Sequence, residues 1–409
     1  MLRRFVAAML MLSFALVPVA AGAQEGLRLS GALLYTAKVA LAKDALMVVQ
    51  LQTLDGRPFT TIRRPTQGAQ VPLPFSIQGP ANAPFGLRAA LFVDGRALWA
   101  SPLVVIQPGH GQKILPPVIL NRVEAASFAR HFSCGKTGVE IAIAEGAARM
   151  RVAGHSYDLT ADTADPDPRY VAAKAAQDAR DTWFQPRGNA ARVSLGGKVL
   201  PVCKPEIAPM LFALHARGGD PDWRLDLAAG RLRFVPPRGD PISAAIPAPG
   251  VGLDVLRFDL PGKGLAVVLT KGLCHEGTSP LPFPIRAKVT WGTHSYQGCA
   301  GTPAQLLEGA PWKVLTAAGT DISRSGTEMR FLANQISGKA PCNRFSARLL
   351  FGAGMRVGPL AATRNTCAAL TMNKEQAFFN ALGATDRFDI KDGKLRLLAR
   401  GQTVMEASR

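Results

Sequence analysis

Apolar and polar positions alternate with a period of two along much of the chain. Val139, Ile141 and Ile143 form one such row, and Met150 and Val152 resume it beyond Gly146. Leu225 and Leu227, Leu232 and Phe234, and Leu256, Phe258 and Leu260 repeat the pattern. A two-residue period places one face of each segment in a core and the other in water, which predicts half-buried antiparallel strands. Nearer the N-terminus the runs are more continuously apolar: Leu27 to Val39, Leu46 to Leu54, Pro72 to Ile77, Leu87 to Val93 and Ala97 to Ile106. The turn dipeptides Asp55-Gly56 and Asp94-Gly95 punctuate them. Short apolar runs separated by turn signals indicate a sandwich or small barrel rather than a parallel sheet with crossover helices.

Toward the C-terminus the pattern predicts strands near Lys313 to Leu315 and Glu328 to Leu332, and a helix from Met372 to Leu382. A closing hairpin follows, Phe388 to Ile390 and Leu395 to Leu398 around Lys391-Asp392-Gly393. The alanine-rich residues 171–182 read as a short helix or an acidic loop. The expected fold class is mainly β: tandem small antiparallel β-sandwich or barrel domains, the last α+β with one helix.

Residues 1–23 open with Arg3 and Arg4, run through the apolar stretch Phe5 to Ala20 and end in Ala21-Gly22-Ala23. That is the pattern of a signal peptide with an A-x-A cleavage site. Gln24 follows, so no lipid anchor on a new N-terminal cysteine is expected, and no later apolar run reaches the about 18 residues of a transmembrane helix. The expected location is the periplasm or the medium. There, six cysteines fall into three successive local pairs, Cys134 with Cys203, Cys274 with Cys299 and Cys342 with Cys367. Each bridge is expected to stabilise by about 3 to 4 kcal/mol in the chain-entropy account. The rival use of these cysteines is zinc, for which Cys274-His275 with His294 and Cys299 is the available arrangement. It lacks C-x-x-C or paired-histidine spacing, so no metal is expected. The pairing divides the mature chain into four expected domains: 24–121, 122–204, 205–302 and 303–409.

Of the formal charge of +19, Arg3 and Arg4 supply +2, and the rest is unevenly spread, the four segments carrying +5, +3, +2 and +7. A basic surface in the envelope attracts anionic polymers and lipid headgroups. Nucleic acid is not an expected partner, because the signal directs the chain away from it. No G-x-S-x-G elbow, Walker loop or H-E-x-x-H helix is present, so neither catalysis nor a cofactor is expected. The alternative is a structural or chaperone-like protein that binds cell-wall or outer-membrane polymers through its basic segments, and behind it stands a wall-active hydrolase, for which the aspartates could supply paired carboxylates.

Specific motifs add family resemblances. Gly31-Ala32-Leu33-Leu34-Tyr35, Val71 to Ile77, and Asp94-Gly95-Arg96-Ala97-Leu98-Trp99 resemble the YbaY-like, type III secretion lipoprotein-chaperone (YscW) family, implying a small β-sandwich. Residues 132–203 resemble MliC, the membrane-bound inhibitor of c-type lysozyme. The resemblance rests on Phe132-Ser133-Cys134-Gly135, Tyr157-Asp158-Leu159, Arg169-Tyr170, Trp183, Arg187-Gly188-Asn189-Ala190 and Cys203. That family uses a loop serine and a lysine beyond the tryptophan to plug the lysozyme cleft. Here the loop reads Pro166-Asp167-Pro168-Arg169-Tyr170, without serine, and Arg187 stands at the lysine position.

Residues 212–301 are similar to an uncharacterised envelope domain with a G-x-x-P-x-W opening and a paired-cysteine ending, seen in Gly219-Asp220-Pro221-Asp222-Trp223, Cys274 to Ser279 and Gly298-Cys299. Residues 304–405 resemble the META domain of HslJ-type heat-inducible envelope proteins. Their motifs are Trp312-Lys313-Val314-Leu315, Ile336-Ser337-Gly338, Cys342-Asn343-Arg344-Phe345, Gly358 to Arg364, Thr366-Cys367 and Glu375-Gln376-Ala377-Phe378. Together the resemblances imply binding and envelope stress rather than catalysis.

Two sets of candidate binding residues follow. Asp167, Arg169, Tyr170 and Arg187 are the residues expected to meet a c-type lysozyme. Six aspartates from Asp158 to Asp181, against Arg169, Lys174 and Arg180, offer a local acidic loop to a basic partner. Asn343, Arg344 and Arg364, drawn together by a Cys342–Cys367 bridge, are expected to form a polar pocket suited to an anion or to satisfying a tight turn.

Overall fold

A computed structural model describes residues 26–409 apart from 55–56, 124–128, 145, 163–168, 173–180, 208–212, 229, 248–249 and 333. The expected signal peptide, the Asp55-Gly56 turn, Asp167 and most of the alanine-rich stretch lie outside the described residues. The fold is mainly β. Among the described residues the strands form five sheets.

The first segment is two sheets face to face. One runs Leu73–Gly79, Leu27–Leu34, Gln112–Ile114; the other runs Asn121–Arg122, Arg96–Ala100, Phe85–Val93, Leu46–Gln52, Pro58–Pro65. Between them lie Leu29, Leu33, Met47, Val49, Leu51, Phe75, Ile77, Phe85 and Leu87. The expected strand from Leu27 stops at Leu34, and the run to Ile106 breaks at Pro102 into Arg96–Ala100 and Val104–Ile106. Pro58–Pro65 is an edge strand whose residues are exposed or only half-buried, so it carries no apolar signature. Leu27–Leu34 also pairs in parallel with Gln112–Ile114 and Val118–Ile119, so this segment is not purely antiparallel. Leu46–Gln52 is apolar without alternation because both its faces are buried. Val48, Ala90, Phe92 and Ala100 on the second face pack against Val123 and Ile207, which lie just before and just after the strands of the second segment's sheet.

The second segment is an antiparallel meander of eight described strands from Arg130–Cys134 to Lys198–Val199, with a ninth, Lys204–Pro205, returning to the first strand. An Ala191–Cys203 bridge pair joins that return to the far side, curling the sheet toward closure. The Cys134–Cys203 disulfide staples the same point. Val139, Ile141, Met150 and Val152 face the core as their spacing requires. The stretch from residue 171 begins as the strand Arg169–Ala172, not as a helix.

In the third segment nine antiparallel strands from Ala213–Gly219 to His294–Ala300 enclose Trp223, Leu225, Phe234, Leu256, Phe258 and Val267. The two ends of the segment pair with each other, Ala216 with Ala300. Cys274 bonds Cys299. In the fourth, ten strands curl around the helix Ala369–Ala384, which buries Glu375, Phe378, Ala381 and Leu382. A one-turn helix, Ala304–Leu307, precedes the sheet, and the strand Gln402–Ser408 extends the expected closing hairpin. Leu281, from the loop before Phe283, is buried in this last core, so the third and fourth segments share apolar contact.

Candidate functional site

The second-segment candidates lie on two faces of one sheet. Tyr170 stands opposite Phe184 in register and packs with it toward the core. Arg169, Trp183 and Arg187 alternate to the outer face, where the Arg169 guanidinium lies 4.5 Å from the centre of the Trp183 ring. Arg187 is exposed and donates from Nη2 to Gln185 Oε1 at 3.2 Å. Tyr170 and Arg187 therefore do not share a surface. Asp167 lies outside the described residues, and Asp158, at the start of the acidic stretch, is ion-paired with Arg149.

The hairpin tip beside Arg187 is occupied. Asn189 Oδ1 accepts from the Gly95 amide at 3.0 Å, and Asn189 Nδ2 donates to the Asp44 carbonyl at 2.8 Å. The Asp94-Gly95 turn thus sits over this end of the second sheet. Gly95 has φ +68°, and a Cβ there would stand 3.1 Å from the Phe132 ring, so the close approach requires glycine. Arg130 Nη1 donates to the Asp94 carbonyl at 3.3 Å. Burial, with the nearby Arg96, pulls the Arg130 guanidinium down to about 10, against the opposing pull of Tyr170 and Asp94. The first segment thus caps the hairpin tip next to Arg187.

In the fourth segment the Cys342–Cys367 bond is formed, and Asn343 is buried. Its Oδ1 accepts from Thr363 Oγ1 at 2.8 Å and from the Asn365 amide at 2.7 Å, while Nδ2 donates to Glu375 Oε1 at 2.7 Å and to the Asn365 carbonyl at 3.4 Å. A carboxamide has four such valences, so Asn343 has none left for a ligand. Glu375 also accepts the Cys342 amide at 2.9 Å and the Asn343 amide at 2.6 Å. Sequence reading gave Glu375 no role. Its signal was an acidic residue on the apolar stripe of the helix, in step with Phe378 and Leu382 at i+3 and i+7.

Arg344 and Arg364 are exposed, whereas Asn343 is buried. Arg344 belongs instead to an outward row. It is opposite Lys339 in register, shares its strand face with Arg348, and Arg356 stands opposite Leu350 of that same face. None of these four cations has an ion-pair partner among the described residues.

The third segment holds a groove of about 780 Å³ on the outer face of its sheet. Val268, Thr270, Arg286, Lys288 and Gln297 form its floor, and the Leu273–Thr278 loop and Gly219-Asp220 form its walls. Cys274 and Cys299 are consumed by their disulfide, and His275 Nε2 lies 3.1 Å from Asp389 Oδ1 of the fourth segment. Glu276 is buried; Thr278 Oγ1 donates to its Oε1 at 2.5 Å, and Arg217 Nε forms an ion pair with its Oε2 at 3.5 Å. A Cβ on Gly219 would stand 2.4 Å from Glu276 Oε1, so glycine is required for the carboxylate to seat there. Sequence reading missed this groove because Arg286 and Lys288, alternating with buried Ile285, Ala287 and Val289, look like any solvated strand face.

These features define a mainly β, disulfide-stapled chain whose grooves and cationic rows are open surfaces. The three disulfides are consistent with an oxidising compartment outside the cytoplasm. Residues 305–409 match the family model of the META domain. No family model matches the segments that resemble the YbaY-like and MliC families. No curated protein matches the chain. Among solved structures it is similar to an alternative pilotin from the type II secretion system of Vibrio cholerae, at 22% identity and a TM-score of 0.20, over 23% of this chain and 93% of that one. Among the described residues no helix is long and apolar enough to cross a membrane.

Proposed function

We propose that this chain is a non-catalytic, envelope-protective binding protein, delivered by its signal peptide to the periplasm or medium, that engages anionic cell-wall or outer-membrane polymers. The observation that carries this reading is the outward row Lys339, Arg344, Arg348 and Arg356 on the META segment. Four cations with no acidic partner among the described residues repel one another and are relieved by a polyanion. The META match supports a place in envelope stress. Sedimentation of the mature chain with purified peptidoglycan or lipopolysaccharide tests the idea. Pelleting is expected at low salt, loss at about 0.5 M salt where charges are screened beyond a few ångströms, and loss in Arg344→Glu/Arg348→Glu/Arg356→Glu. Salt-independent pelleting, or none, would sink it. Release of soluble fragments from the peptidoglycan, abolished by a single Asp substitution, would instead establish a hydrolase.

Lysozyme inhibition by the second segment is the second reading, favoured by the exposure of Arg187 at the position where the resembling family carries its cleft-plugging lysine. Inhibition of a c-type lysozyme lysing cell suspensions, lost in Arg187→Ala and absent from a basic control protein, is its expected signature. Absence of inhibition at micromolar concentration would leave the segment as a scaffold for the capping contact with the first.

A further inference from the structure

The groove of the third segment combines features that a plain strand face lacks. Arg286 and Lys288 are two residues apart on one face, about 7 Å along the strand. Neither has an ion-pair partner among the described residues, although both line the same cavity. The Arg286 guanidinium has its place because the neighbouring strand bulges between Lys271 and Cys274 and carries Gly272 there at φ +146°. A Cβ on Gly272 would stand 2.7 Å from Arg286 Nη2. Bulges of this kind re-aim side chains, and here one makes room for a cation in a groove.

The remaining lining selects among anions. Thr270, Thr278 and Gln297 offer neutral donors and acceptors, while Val268 and Leu273 offer partly buried apolar surface. A bare inorganic ion would use the cations and leave both of these untouched. Of the two acids in the lining, neither forms an ion pair with Arg286 or Lys288, and Glu276 is buried against Thr278 and Arg217. Asp220 is exposed on the opposite wall. A volume of about 780 Å³ is in the range of small-ligand clefts and holds more than one ring. Sugars match this mixture, since each ring has an apolar face and an edge of hydroxyls.

We propose that the groove lined by Arg286, Lys288, Thr270, Thr278, Gln297, Val268 and Leu273 binds a sugar unit bearing an anionic group. The anion pairs with Arg286 and Lys288, the ring lies on Val268 and Leu273, and the hydroxyls meet Thr270, Thr278 and Gln297. The inference rests on the reading of the chain as a binder of anionic envelope material and gives that reading a second, sugar-selective site. The same chemistry arises from a phosphorylated lipid headgroup sugar or from a carboxylated wall glycan.

Titration calorimetry of the full mature chain with four probes tests it: glucose 1-phosphate, glucuronic acid, glucose and inorganic phosphate. The expected result is binding of at least one anionic sugar, weakened about tenfold or more in Arg286→Ala/Lys288→Ala by loss of charge-assisted hydrogen bonds. Glucose and phosphate are expected to bind about tenfold more weakly than that anionic sugar, each lacking one half of the recognition. Binding of the phosphate sugar alone assigns the headgroup source, and binding of the carboxylate sugar the wall source. Both substitutions are on exposed positions, and an unchanged circular dichroism spectrum and melting temperature establish that the variant is folded. No binding of either anionic sugar, equal binding by the folded variant, or equal affinity for phosphate alone overturns the proposal. If Arg286→Ala/Lys288→Ala still pellets with polymer in a salt-sensitive way, the general function stands while the groove assignment is judged by calorimetry alone.

Discussion

The side-chain amide of Asn189 donates to the backbone carbonyl of Asp44 at 2.8 Å, tying the tip of a second-segment hairpin to the first segment. Its oxygen accepts from Gly95 at 3.0 Å, so one side chain satisfies two backbone groups across the junction. Arg63 and Glu206, 3.2 Å apart, and the packing of Ile207 on Val48 and Phe92 tie the first segment to the chain that follows the second. Removing the amide in Asn189→Ala is expected to cost about 1 to 3 kcal/mol, the range for leaving such groups unpaired. Calorimetry is the direct check. The variant should show a lowered or split transition for the first two segments, while Arg192→Ala, an exposed change on the same hairpin, should leave it unchanged.

The carboxylate of Glu375 accepts three N–H groups around the Cys342 bridge. A buried acceptor shared by three donors is worth more than an ordinary hydrogen bond, because its loss strands all three. Glu375→Ala should destabilise the fourth segment by about 3 kcal/mol or more. Hydrogen exchange localises the effect: amide protection at Cys342 and Asn343 should collapse in the variant, while Leu225 and Val267 in the third segment keep theirs. Unchanged exchange at Asn343 would mean that the carboxylate is dispensable to the loop.

Much of this architecture was legible in the chain. Val139 and Ile141, Leu225 and Leu227, and Leu256 and Phe258 face their cores as a two-residue period demands, and the segment containing Met372 to Leu382 is helical. Pro58–Pro65 escaped notice because it is an edge strand with no fully buried residue and so needs little apolar surface. The sites were harder to read. Tyr170 and Arg187 are close in sequence logic but point to opposite faces of their sheet, a consequence of register that spacing alone does not reveal. The groove around Arg286 depends on a bulge at Gly272 in a neighbouring strand, and the burial of Asn343 depends on a helix more than thirty positions away.

Chain entropy separates the disulfides by the length of loop each closes. Cys134–Cys203 spans 69 positions, whereas Cys274–Cys299 and Cys342–Cys367 each span 25. The loop term then gives about 4.4 kcal/mol for the first and about 3.5 kcal/mol for each of the others. Paired serine substitutions should therefore destabilise most at Cys134 and Cys203, measured as the loss of unfolding free energy of each variant in urea. An equal loss at all three pairs would show that native contacts around each bridge, such as the Asn343 network, outweigh loop length.

Acid should weaken the junction of the second and third segments through His131. Its Nδ1 lies 3.7 Å from Glu140 Oε1, and Glu140 continues through Arg151 at 3.1 Å to Asp254 of the third segment at 2.6 Å. Burial, aided by Lys271, holds the His131 imidazole below its ordinary value of 6.5, and the pull of Glu140 in the opposite direction does not prevail. A histidine whose pKa is lowered on folding favours the neutral ring in the native state. Its stabilisation is thus fully present above 6.5, and it is lost as pH falls below 6.5 toward the folded value, because the unfolded chain takes up the proton first. The loss amounts to about 1.4 kcal/mol for each unit by which the pKa is lowered. His131→Gln, which cannot titrate, should show a shallower fall in stability between pH 7 and pH 5 than the native chain in urea unfolding at fixed ionic strength. Parallel curves for the two would mean that His131 does not carry the acid sensitivity.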